Sequence, residues 1–377
     1  MTRRERLLAT LRGEPVDRPP VNFYEISGVR ENPADPDPFN VFSDPSWAPL
    51  LTLARERTDI IIMHGVGFKN LPPDPLAGLT TTESRIDEKG SRVTVSTIKA
   101  GKRLLTTRSR RDPDVNTTWV TEHLLKDVDD FRAWLDLPAA EPGGEPDTAA
   151  FLEAERTLGE AGMVMVDTGD PICSVAPLFH MGEFTVMALT EPQLFRRALD
   201  RLAAGILYRT EAVARALPGR LWRICGPEYA SPPYLPPRLF REYVVPYLRE
   251  MVQCIQRYGG YARVHCHGRI AQILEDIAGT GCSGLDPIEP PPQGDVQLAE
   301  VRARYGRQLV LFGNIEVAEL ENMPHDAFAR RVRQAVAEGT AGEGRGYVLM
   351  PTACPAGRRL SPHTVRNYEI MVEAVGA

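Results

Sequence analysis

Two histidines one residue apart, His265 and His267, end an apolar run, Tyr261-Ala262-Arg263-Val264, and are followed by Gly268. On a strand, side chains alternate faces, so both imidazoles project to one side and Cys266 to the other. Their backbones then lie roughly 6–7 Å apart, a spacing at which two ring nitrogens can share one metal ion. A thiol, Cys354, follows another apolar run, Tyr347-Val348-Leu349-Met350. Two imidazole nitrogens and one thiolate, with a fourth position open, suit a catalytic zinc ion. The same residues have a plainer use. The histidines can hydrogen-bond substrate or backbone, and Cys354 can be a small buried apolar side chain.

Something must bring together residues 87 and 89 positions apart. Eight apolar, β-branched runs recur along the chain, at 18–26, 59–66, 162–167, 221–225, 261–266, 282–288, 308–312 and 346–350. Segments of helical period lie between most of them, notably 192–217, 237–258, 269–280 and 325–338. Strands alternating with helices of this length predict βαβ units and a parallel sheet. Eight of them favour an α/β (β/α)₈ TIM barrel over an open doubly wound sheet. Residues 80–121 break the pattern with alternating segments around Lys89-Gly90 and Ala100-Gly101. They predict a β-hairpin insert after the second strand. Residues 137–149, rich in Pro and Gly, predict a loop. The whole chain, 1–377, reads as one barrel domain.

In such a barrel the functional side chains gather at the C-terminal ends of the strands. Those ends here carry His64, Asp167, Asp170, Glu228, His265, His267, Asp286, Glu289, Asn314, Glu316 and Cys354. Most of the metal-capable residues thus fall on one rim. Glu228 is a candidate displaceable fourth ligand and catalytic carboxylate. Asn314, after Gly313, is a candidate catalytic amide or a turn residue. Asp286 and Glu289 can brace a histidine N–H, or belong to a solvated loop, which is slightly favoured. Tyr24, His64, Asp167 and Tyr229 are candidate substrate contacts. Cys266 and Cys282 read as packing residues.

Composition narrows the classes. A formal net charge of −6 gives no reason to expect nucleic acid or an anionic membrane surface as partner. No apolar run approaches the roughly 20 residues of a membrane helix, and the first residues lack the apolar core of a signal peptide. The six cysteines are scattered, without the spacing of a disulfide framework. A cytoplasmic protein with reduced thiols is expected.

Several motifs resemble the uroporphyrinogen decarboxylase superfamily, and within it the zinc-dependent methyltransferase branch. They are Thr2–Leu8 with Leu11-Arg12-Gly13-Glu14-Pro15-Val16-Asp17-Arg18-Pro19-Pro20-Val21; Gly169-Asp170-Pro171 with Met181-Gly182-Glu183-Phe184; residues 236–247; and Gly313-Asn314-Ile315. The resemblance runs nearly end to end and implies the same barrel. It implies zinc bound by His265, His267 and Cys354, with His267 standing where the branch has Cys. It also implies a small methylated substrate and a partner protein that carries a corrinoid, with a thiol acceptor as the nearest variant. The decarboxylase's arginine-rich signature near the first strand is replaced by Val21-Asn22-Phe23-Tyr24-Glu25-Ile26. One thiolate fewer makes zinc a stronger Lewis acid, favouring demethylation of an oxygen- or nitrogen-linked methyl group. The alternatives are a metal-free decarboxylase-like lyase, with Arg223 or Arg263 binding substrate carboxylates, and a non-catalytic ligand-binding member.

Overall fold

The computed structural model describes residues 1–29 and 32–377. Seven parallel strands form one curled sheet in chain order. They are Ile60–His64, Gly162–Gly169, Leu221–Cys225, Tyr261–His265, Gly284–Asp286, Val310–Ile315 and Tyr347–Pro351. The expected first strand over 18–26 is reduced to a single parallel bridge between Val21 and Leu349. Asn22 N–H donates to the Leu349 carbonyl (2.9 Å), and Asp59 N–H donates to the Val21 carbonyl (2.7 Å). This short segment therefore spans the gap between the last strand and the first.

Local chemistry explains why it is short. Pro19 and Pro20 have no N–H to give to a ladder. Just beyond the bridge, Asn22 Oδ1 accepts from Tyr24 N–H (2.8 Å) and Ser27 Oγ accepts from Phe23 N–H (3.1 Å). Such side-chain bonds compete with strand pairing, and the chain turns into the 3₁₀ helix Tyr24–Gly28. The segment is held from below by buried charge. Asp59 accepts from Arg6 (2.6 Å), Arg18 (2.8 Å) and Val21 N–H (3.0 Å), and Arg6 also pairs with Asp17 (2.7 Å). The charged residues of the N-terminal signature thus lock the closing segment into the sheet.

Alternation sorts the strand residues into two environments. Ile61, Met163, Met165, Leu221, Val310, Phe312, Val348 and Met350 form an inner cluster with Leu7 and Leu11 of the helix Arg3–Arg12. That helix starts in a Thr2/Glu5 capping box and ends at Gly13 with φ +74. Truncating Leu7 or Leu11 in such a cluster costs about 2–5 kcal/mol. The other faces, including Ile224, Val264, Leu285 and Leu311, join the larger core beneath the outer helices.

The insert is a four-stranded antiparallel sheet, Thr80–Ile86, Arg92–Ala100, Arg103–Arg111 and Thr118–Glu122, paired in sequence order. Gly90 (φ +80) and Gly101 (φ +61) make its first two turns, as the Lys-Gly and Ala-Gly pairs predict. The 137–149 stretch is not all loop, because Glu145–Asp147 pairs with Gly67–Lys69. The helix expected over 237–258 is two, Pro237–Tyr243 and Val245–Arg257. Pro246 has no N–H for the turn before it and its ring crowds the carbonyl four residues back. Over 269–280 only Leu274–Ala278 is helical.

Candidate active site

The strand Tyr261–His265 positions the opening motif. Its register pairs His265 with Asp286 and Arg263 with Arg223, so Arg263 and His265 stand on successive inward levels of one strand. Cys266 points the other way and packs fully buried in the outer core. The His265 and His267 rings meet edge to face with centroids 4.5 Å apart.

Each imidazole is braced by a carboxylate from the next strand end. His265 Nδ1 lies 2.7 Å from Asp286 Oδ2, and His267 Nδ1 lies 2.6 Å from Glu289 Oε1. A carboxylate only accepts, so Nδ1 carries the proton in both rings, and Nε2 presents a lone pair whenever the ring is neutral. Among the described residues neither Nε2 takes part in a hydrogen bond. The rim carboxylates are therefore braces, against the slight preference for a solvated loop. Glu289 also accepts from Gly268 N–H (2.5 Å), which gives the glycine after the motif a positioning role.

Burial and pairing set the protonation states. Burial lowers His265 despite Asp286 beside it, so its ring is neutral at neutral pH. Burial also acts against protonated His267, but the hydrogen bond and charge of Glu289 outweigh it, and its pKa is raised. Burial would raise Asp286, yet Arg263 and His265 hold it well below the usual carboxylate range. Arg263 Nε and Nη2 donate to Asp286 at 2.5 and 2.6 Å, and Arg263 is 1 % exposed.

Cys354 stands apart from this pair. Its thiol donates to Glu25 (2.9 Å), and burial, followed by the Glu25 charge, raises its pKa strongly. Among the described residues no three His, Cys, Asp or Glu side chains are grouped closely enough to hold one metal ion. The two braced imidazoles have the chemistry of metal ligands. The structure does not group the third expected ligand with them; its thiol is bonded to Glu25.

The other candidates divide. Tyr24 is buried at the top of the barrel interior, its hydroxyl 3.4 Å from His265 Nδ1. Its φ of +55 is a left-handed value that costs a non-glycine residue about 1–2 kcal/mol and is held by the bond to Asn22. Asp167 faces the interior one level below His265, with Arg223 Nη1 3.5 Å away. Burial raises its pKa. His64 and Tyr229 are half-buried at the rim. His64 Nδ1 donates to the Gly65 carbonyl (2.6 Å), and burial pushes the Tyr229 hydroxyl up to about 12. Glu228 Oε2 accepts from Gly226 N–H (2.9 Å).

Asn314 is placed differently from the expectation. Its side-chain amide donates to the Ile288 carbonyl (3.2 Å), and Arg331 of the helix His325–Gly339 donates to its backbone carbonyl (2.8 Å) and its Oδ1 (3.3 Å). It ties strand ends to the helix layer. Asp170 is likewise a helix cap, accepting from Cys173 N–H (2.9 Å).

Sequence reasoning gave no role to several groups. Glu25 is the acceptor of Cys354. Glu316 pairs with Thr352 (3.2 Å) and leaves Oε1 buried without a partner, and burial with the Glu289 charge pushes it up to about 7. Cys173 and Cys225 sulfurs lie 3.9 Å apart. The sequence put Glu316 among the rim carboxylates but gave it no particular role.

Three comparisons bear on this architecture. A methyltransferase from Methanosarcina mazei superposes with a TM-score of 0.59 at 18% identity, covering 99% of this chain and 98% of that one. It shows a shared fold over the full length. A D-psicose 3-epimerase from Clostridium cellulolyticum H10 reaches a TM-score of only 0.34 at 11% identity over 59% of this chain and 80% of that one, too low to bear on the matter. No curated protein sequence matches the chain. The profile of the family described as Uroporphyrinogen decarboxylase (URO-D) matches residues 120–377. That match takes in every strand from Gly162–Gly169 onward, with both histidines and their braces, and the chain belongs to the uroporphyrinogen decarboxylase family.

Proposed function

We propose that this chain is a zinc-dependent methyltransferase that moves a methyl group from a small O- or N-methylated substrate to a corrinoid on a partner protein. The observation that carries this reading is the pair of imidazoles, each locked through Nδ1 by a carboxylate with Nε2 left free. Metal-binding histidines are commonly oriented in this way. The structural likeness to a methyltransferase supports the same class of reaction.

His265 and His267 would hold the metal, with Cys354 as third ligand once its proton is lost and Glu25 released. Bound there, zinc would supply Lewis-acid polarisation of the heteroatom that carries the methyl group. The bond from heteroatom to methyl carbon breaks with its electron pair left on the heteroatom. Glu316, which keeps a proton up to near-neutral pH, would be the acid that neutralises that anion. Tyr24 and Asp167 line the interior below. Cytoplasmic location belongs to the same reading; no helix among the described residues is long and apolar enough to cross a membrane.

The test combines metal content with turnover. Purified protein should hold one zinc per chain, lose it in His265→Ala, and methylate Co(I) cobalamin from a panel of methyl ethers and methylamines. Protein that holds no zinc and releases carbon dioxide from carboxylated substrates would instead be a decarboxylase-like lyase.

A further inference from the structure

Arg223 and Arg263 are register partners on neighbouring strands and both face the barrel interior. Arg263 is spent, since both of its shorter bonds go to Asp286. Arg223 is not. Its Nη1 reaches only the Met63 sulfur (2.7 Å) and lies 3.5 Å from Asp167, and its Nε is buried with no hydrogen-bond partner among the described residues. Asp167 Oδ1 is unpartnered in the same sense. A guanidinium has five N–H donors in a rigid fork, and thioether sulfur is a weak acceptor. A buried cation left in this condition is costly unless something completes it.

The pair keeps some contact with solvent. The Arg223 side chain is 11 % exposed and that of Asp167 35 %, and Met63 beside Arg223 keeps partial exposure. The Tyr24 ring lies 5.5 Å from the guanidinium carbon and gives the site an aromatic neighbour. Arg223 stands two residues below the level of His265 by register, roughly 6–7 Å along the strand.

We infer that Arg223 is a carboxylate receptor in the barrel interior, and that the substrate is a short carboxylic acid carrying its O- or N-methyl group a few bonds from the carboxylate. The placement of the methyl group rests on the methyltransferase reading; the carboxylate site does not. The fork binds both carboxylate oxygens, as guanidinium groups do. The depth from Arg223 to His265 then sets the methylated atom beside the two histidines. Asp167 competes for the same guanidinium, so an arriving carboxylate displaces a weak ion pair.

Calorimetry on metal-free protein tests this, with methoxyacetate as the anionic probe and 2-methoxyethanol as its neutral counterpart. Methoxyacetate should bind wild type, and 2-methoxyethanol should bind at least tenfold more weakly. Arg223→Met should weaken methoxyacetate at least tenfold, and Arg223→Lys, which keeps the charge but loses the fork, by a smaller factor. Asp167→Asn should tighten it a few-fold. Equal affinity for the two probes, no binding of methoxyacetate to wild type, or unchanged affinity in both Arg223 variants would overturn the inference. If Arg223→Met does not fold, Arg223→Lys and Asp167→Asn still decide. These failures leave the methyltransferase reading standing, and absence of zinc or of methyl transfer leaves the carboxylate site standing.

Discussion

Arg223 and Arg263 are the same residue type at the same level of the barrel, yet they do opposite things. Arg263 faces Asp286 from the next strand and closes a buried chain of Arg263, Asp286 and His265. Arg223 faces Asp167, half open and 3.5 Å away, with Met63 as its nearest acceptor. The first arginine belongs to the scaffold that orients a histidine, whereas the second keeps donors for something else. What separates them is the geometry of the carboxylate each neighbouring strand supplies.

The comparison can be broken most sharply at Asp286. Asp286→Ala strands a buried guanidinium, and urea unfolding should show a loss of about 3–5 kcal/mol. A loss below 1 kcal/mol would mean that Arg263 is no more committed than Arg223. Next in size is the brace on the second histidine. Under the zinc reading, Glu289→Gln should weaken zinc binding about 10–100-fold in a chelator competition, with little change in fold by circular dichroism.

Glu316 gives the pH dependence. Its folded pKa of about 7 lies above the ordinary carboxyl value of 4.5. Between those values the unfolded chain has released a proton that the folded chain keeps, so stability falls as pH rises from about 4.5 and levels off above about 7. Glu316→Gln should therefore stabilise the protein at pH 8 by about 1–3 kcal/mol and change it little at pH 4. A constant difference across that range would show that Glu316 does not titrate as described. The smallest effect is expected at Arg223. Arg223→Met should stabilise the protein slightly, by up to about 1 kcal/mol, because it removes a buried cation that makes no well-formed pair. A loss as large as that of Asp286→Ala would erase the contrast between the two arginines.

Much of the scaffold was legible because it follows from period and position. Alternation in Tyr261–His265 put the two histidines on one face and Cys266 on the other, and the structure agrees. The glycines at 90 and 101 marked the turns of the insert. The first strand misled because hydropathy does not register two prolines and an Asn side chain that takes over the backbone bonds. Asn314 misled for a similar reason: its position at a strand end was readable, but its partners Ile288 and Arg331 lie on other elements.

From the sequence alone follow the order of strands and helices, the rim on which the polar residues gather, and the resemblance to a family. These depend on residue type and local spacing, which the chain carries in one dimension. Tertiary structure decided the partners. Asp286 and Glu289 reach their histidines across separations of 21 and 22 residues, and Glu25 takes the Cys354 thiol across 329. A hydrogen bond holds over only about 3 Å. Which carboxylate braces an imidazole, which one takes the Cys354 thiol and which arginine stays free are therefore settled only when the strands are laid side by side.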